Sequence, residues 1–97
     1  MKNDNTPSSA IYARVEGRVH HVGFRYSCMN EGERLGLSGW VKNSPGGDVE
    51  LWAEGLTEKI EDLLKWLNKG PPGARVDTVY YEKRVPTGKY RKFNIQY

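Results

Sequence analysis

The sequence holds a single cysteine, Cys28, among its 97 residues. An internal disulfide therefore cannot form, and cysteine usage gives no support for an oxidising compartment. Cys28 stands apart from His20 and His21, which adjoin one another, so no cluster has the spacing of a zinc site. No stretch approaches the ~18 apolar residues of a membrane-spanning helix. The opening Met-Lys-Asn-Asp-Asn-Thr-Pro-Ser-Ser has no apolar core of the secretory kind. Internal repeats are missing, and no Asp/Glu pair shows evident metal spacing. The basic-Gly-aromatic run that marks RNA-binding sheets is missing too. Excess charge is small: 15 Lys and Arg against 12 Asp and Glu give a net +3. That balance suits an anionic ligand and is too dispersed to argue for nucleic acid alone. A soluble, cytoplasmic protein with no membrane association is the expectation.

What is present is enough for one small domain. Hydrophobic residues make up 37% and aromatics 11%, which argues against disorder of the whole chain. Residues 1–9 read as a flexible polar tail and residues 10–97 as the folded domain. From Ala10, the residues Ile11, Ala13 and Val15 alternate with Tyr12, Arg14 and Glu16, the period of a strand. After a loop from Gly17 to Gly23, a helix is expected from Phe24 to about Leu35. Phe24, Cys28 and Leu35 would lie on its inner face, with Gly32 where the sheet passes close. Gly36 suits the left-handed stop. Ser38 to Asn43 reads as a strand, Ser44-Pro45-Gly46-Gly47 as a turn, and Asp48 to Glu54 as the returning strand.

The second helix carries Leu56, Ile60, Leu63, Leu64 and Leu67 on one stripe, with Thr57 as the expected cap. Gly70-Pro71-Pro72-Gly73 ends it. Val76 to Val85 reads as a long strand without clean alternation. Tyr90 to Tyr97 reads as a last strand with Phe93, Ile95 and Tyr97 on one face. The order strand, helix, strand, strand, helix, strand is the split βαββαβ arrangement of an α+β, ferredoxin-like sandwich, here with an additional C-terminal strand. The sheet would be antiparallel or mixed, with both helices on one face because each has one apolar stripe.

Chemistry concentrates in Gly17-Arg18-Val19-His20-His21-Val22-Gly23-Phe24-Arg25, where a strand feeds a helix start through a short loop. The first amides of a helix have no partner inside it, and its dipole favours negative charge there. Gly23 allows a ligand to come close to the backbone. Arg25 is placed to grip a phosphate through two N–H donors. The physics describes an anion cradle, and it describes equally well a plain strand-to-helix connection with a solvated arginine.

The same segment resembles the signature of the acylphosphatase family, in which a Gly-x-Val-Gln-Gly-Val-x-Phe-Arg run precedes the first helix. A second match follows in Gly39-Trp40-Val41-Lys42-Asn43, then Gly46-Gly47 and Val49-Glu50. Ala53-Glu54-Gly55, Gly70-Pro71 with Ala74 and Val76, and Phe93-x-Ile95-x-Tyr97 extend the resemblance over about Ala10 to Tyr97. It implies the ferredoxin-like fold and the metal-independent hydrolysis of acyl phosphates to carboxylate and phosphate. By position it implies that Arg25 binds the phosphoryl group and that Asn43 holds the attacking water. The backbone amides of His21, Val22, Gly23, Phe24 and Arg25 would cradle the phosphate oxygens. It implies no cofactor, a small acyl phosphate as substrate and a monomer. The alternative is a non-catalytic module of the same fold that binds phosphate ligands or nucleic acid and has no use for an Asn aimed at a water.

His20-His21 stands where the family usually has Gln-Gly. If that glycine needs a positive φ, a β-carbon there costs about 1 kcal/mol or more. Two readings stand: both histidines are tolerated exposed loop residues, or His21 alters the rate and its pH profile without abolishing activity, which His21→Gly with an unchanged rate and profile would refute. Other residues have plainer readings. Cys28 is taken as packing, Trp40 as packing or a pocket wall, Trp66 as half-buried, and Lys83-Arg84 with Lys89 to Lys92 as a solvated edge that discourages strand pairing.

Overall fold

The computed structural model describes residues 8–19 and 23–97. Five strands and two helices follow in the order β1 (Ser8–Arg18), α1 (Phe24–Arg34), β2 (Ser38–Asn43), β3 (Val49–Leu56), α2 (Thr57–Lys69), β4 (Arg75–Arg84) and β5 (Phe93–Ile95). The strands form one sheet in the order β4-β1-β3-β2-β5. β3 is antiparallel to both β1 and β2, so β1 and β2 run the same way with β3 between them. β5 is parallel to β2. Parallel strands need a crossover, and the preferred hand of that crossover puts α1 and α2 on one face. The expected ferredoxin-like α+β sandwich with its additional strand is what the chain forms.

This topology gathers three strand ends. β1, β2 and β5 point the same way, so the loop that starts α1, Asn43 at the end of β2, and the residues after Ile95 all lie at one end of the sheet.

The core lies between helices and sheet. Ile11, Ala13 and Val15 of β1 and Val49, Leu51 and Ala53 of β3 turn inward, as their alternation requires. Phe24 and Cys28 of α1 and Ile60, Leu63 and Leu67 of α2 meet them. Gly32 on the inner face of α1 is a close-approach glycine. A β-carbon there would lie 2.6 Å from the Phe93 ring, so β5 and α1 pack against each other only because the side chain is missing. Burial, with the carboxylate of Glu31, pushes the Cys28 thiol well above its ordinary pKa, as a packing role requires.

Several local expectations change. β1 begins at Ser8 rather than Ala10, because Ser8 and Ser9 pair with Leu56 and Gly55 of β3. Leu56 does not belong to the α2 stripe. It still has the extended backbone of β3, at φ −59° and ψ 137°, and its side chain is 39% exposed. Thr57 is the first helical residue and does not cap α2, since its hydroxyl lies 2.6 Å from that of Ser9. β4 loses its alternation at a bulge: Glu16 faces Thr78 and Gly17 faces Val76, which leaves Asp77 as the extra residue. The last strand spans three residues rather than eight, and Tyr97 lies beyond it, 99% exposed.

On the face away from the helices, the connection from β4 to β5 is pinned by Glu54, a buried carboxylate in β3. Its Oε2 accepts hydrogen bonds from Trp52 Nε1 at 2.8 Å, the Thr87 amide at 3.0 Å and the Thr87 hydroxyl at 2.6 Å. The Gly88 amide donates to Oε1 at 3.0 Å. Burial alone would raise its pKa, and the four donors outweigh burial and hold it below the ordinary carboxyl value. A lowered folded pKa means stability that is fully present above the unfolded value and lost as pH falls through the folded one. Glu54→Gln turns an amide N–H₂ toward at least one of these donors and is expected to cost about 1–3 kcal/mol at neutral pH. In urea denaturation, the gap between wild type and variant should close as the solution is made acidic. A gap independent of pH would mean that the Glu54 charge is not what the loop grips.

Candidate active site

Gly23 sets the geometry of the site. It is the N-cap of α1 at φ 74° and ψ 21°, a left-handed conformation that favours glycine, although the space beside it is open. The cap makes no side-chain hydrogen bond and the first turn holds no acidic residue. The leading amides of α1 thus keep their need for an acceptor, at the positive end of the helix dipole. Phe24 anchors this start. It is fully buried and its ring meets that of Trp66 in α2, with centroids 5.4 Å apart and planes tilted by 56°. Trp66, half-buried as expected, therefore supports the entry of α1 from behind.

Asn43 is the last residue of β2 and faces Val49 of β3 in the ladder. The turn beyond it is closed by the Ser44 amide donating to Asp48 O at 2.7 Å and the Gly47 amide donating to Ser44 O at 3.0 Å. The Ser44 hydroxyl also donates to Glu50 Oε2 at 2.9 Å. A strand and a twice-bonded turn thus fix where Asn43 stands.

Gly23, Phe24, Arg25 and Asn43 line one open cavity of about 290 Å³, together with Val19, Tyr26, Ile95 and Tyr97. Arg25 is half-buried, and its Cζ lies 5.3 Å from the centroid of the Tyr97 ring. That contact is a cation–π pair that steadies the guanidinium. Among the described residues no Asp or Glu side chain lines the cavity, and Arg25 carries the one formally charged side chain that does. The arrangement therefore offers a cation, helix-start amides and a neutral amide side chain to whatever enters, which fits an anion.

Of the residues singled out from the sequence, Gly23, Phe24, Arg25 and Asn43 come together here. His20, His21 and Val22 lie outside the described residues. Val19, Tyr26, Ile95 and Tyr97 were not anticipated at the site. The parallel placement of β5 beside β2 brings the last two there, and a three-residue strand has no periodicity to announce it. Trp40 does not line the cavity. It pairs with Trp52 on the open face, with Lys42 Nζ 5.4 Å from its ring centroid. Tyr12 on that face donates to Glu50 at 3.2 Å. Among the described residues, no group of three or more His, Cys, Asp or Glu side chains could hold a metal ion. No helix among them is long and apolar enough to cross a membrane.

Comparison with known proteins agrees with this geometry. The acylphosphatase family model matches residues 11–95. An acylphosphatase of Nostoc sp. is 44% identical over 98 residues, covering 99% of this chain and 96% of that one. The structure of an acylphosphatase from Coxiella burnetii superposes with a TM-score of 0.90 at 40% identity, covering 99% of this chain and 100% of that one. The acylphosphatase of Bacillus subtilis gives a TM-score of 0.88 at 31% identity, over 92% and 99% of the two chains. With a family match from β1 to β5 and the same fold in its relatives, the chain belongs to the acylphosphatase family of enzymes.

Proposed function

We propose that the cavity hydrolyses acyl phosphates, with Arg25 binding the phosphoryl group and Asn43 positioning the attacking water. The observation that carries this reading is the convergence of both residues with the N-terminus of α1 on one cavity built wholly from a single chain. The amides of Gly23, Phe24 and Arg25, with those of His21 and Val22, would take the phosphate oxygens. The Arg25 guanidinium would bridge two of them. The Asn43 side chain would hold a water through its amide.

The chemistry asks for little more. Water oxygen bonds to phosphorus while the bond from phosphorus to the acyl oxygen breaks. The electron pair of that bond leaves on the carboxylate, and the water's proton passes to a phosphoryl oxygen. The conjugate acid of the leaving group has a pKa of about 4, in the range of Asp and Glu side chains, so it departs without a general acid. The transition state is loose and its charge rests on the equatorial oxygens. Fixed donors around that charge and a water held in line are the main aids to such a step. A metal is not required, because Arg25 and the amides answer the same charge.

The test is hydrolysis of benzoyl phosphate by wild type in the presence of EDTA, followed by ultraviolet absorbance. Turnover that EDTA leaves unchanged is expected. A protein that binds inorganic phosphate yet turns over nothing would instead be a phosphate-binding module.

A further inference from the structure

The cavity is larger than the phosphoryl group alone demands. Its volume is about 290 Å³, against roughly 30 Å³ for one water in the liquid. Gly23, Arg25 and Asn43 make its polar pole. Among the described residues the rest of the wall is apolar or aromatic: Val19 and Phe24 are buried beneath it, Ile95 is half-buried, and Tyr26 and Tyr97 stand toward solvent.

The two tyrosines are placed differently. Ile95 sits opposite Val41 in the parallel ladder, and the Gln96 amide donates to Val41 O at 2.8 Å. Tyr97 lies beyond that ladder, and the Arg25 guanidinium stands over its ring. Tyr26 belongs to the first turn of α1 and is 62% exposed. An in-line displacement sets the leaving group opposite the attacking water. With the water at Asn43 on β2, the acyl group would depart away from β2, and Tyr26 is the exposed aromatic residue that α1 contributes to the cavity wall.

Resting on the reading of this cavity as an acyl phosphate site, we infer that Tyr26 sets the preference for the acyl group. Its ring offers a face to flat, apolar acyl groups, so that aroyl phosphates are favoured over short aliphatic ones. Ring stacking of this kind changes an affinity by about three- to tenfold. The experiment measures kcat/KM for benzoyl phosphate and acetyl phosphate with wild type, Tyr26→Ala, Tyr26→Phe and Tyr97→Ala. Tyr26→Ala should lower the benzoyl-to-acetyl ratio by about three- to tenfold, mainly through KM. Tyr26→Phe keeps the ring face and should keep the ratio. Tyr97→Ala acts through Arg25 and should lower both substrates together. The exposure of Tyr26 means its variants should fold, which a thermal melt checks. A ratio unchanged in Tyr26→Ala, or a ratio that falls in Tyr97→Ala instead, overturns the inference and leaves the acyl phosphate reading standing. A wild type that hydrolyses neither substrate removes both.

Discussion

Arg25→Ala is expected to lower kcat/KM for an acyl phosphate by about 10³- to 10⁵-fold, the scale seen when an arginine is removed from a transferring phosphoryl group. Among the described residues that line the cavity, no other side chain carries a formal charge. None of those residues could take over its place. The variant should also lose competitive inhibition by inorganic phosphate, because the same guanidinium holds substrate and product. Arg25→Lys should recover little, since an ammonium cannot reproduce the planar pair of donors. Steady-state kinetics with and without phosphate measure both effects. A loss smaller than tenfold, with phosphate inhibition intact, would move phosphoryl binding off Arg25 and onto the helix amides alone.

Asn43→Ala should behave differently. Turnover falls by about 10²- to 10³-fold, the cost of removing one well-placed polar group from a transition state. KM and inhibition by phosphate should stay near wild type, since the group lost touches the water and not the phosphate. The fold should survive, because the register of Asn43 with Val49 rests on backbone bonds. The split between kcat and KM is the diagnostic. A raised KM with an unchanged kcat would show that Asn43 binds the phosphoryl group and leaves the water unassigned.

Much of this was legible from the residues. β2 runs over Ser38–Asn43 as read, because Gly36 before it and Ser44–Gly47 after it leave the strand no other limits. α1 starts at Phe24 because Gly23 takes a positive φ there. Ile60, Leu63 and Leu67 point inward because their spacing admits one buried face. Elsewhere, tertiary contacts overrode local signals. Leu56 fits the helical spacing, yet β1 holds it in the ladder opposite Ser8. Thr57 has a capping side chain, yet Ser9 takes its hydroxyl. The last strand pairs with β2 only from Gly39 to Val41, so it spans Phe93 to Ile95 although β2 continues to Asn43.

The site divides along the same line. Gly23, Phe24, Arg25 and Asn43 sit at element ends, which punctuation in the sequence marks. Tyr26, Ile95 and Tyr97 reach the cavity through the parallel pairing of β5 with β2 and the turn of a helix. Neither leaves a mark in residue spacing. Phe24, expected on the inner face of α1, and Trp66, expected half-buried, form one support behind the helix start.

The central claim is that a water placed by Asn43 attacks phosphorus while Arg25 and the α1 amides hold the phosphoryl oxygens. Hydrolysis of benzoyl phosphate in ¹⁸O-water, with EDTA present, tests it most directly by mass analysis of the two products. The heavy oxygen is expected in inorganic phosphate and none in benzoate. Label in benzoate would mean that water attacks the carbonyl carbon, and the roles given to Arg25 and Asn43 would be wrong.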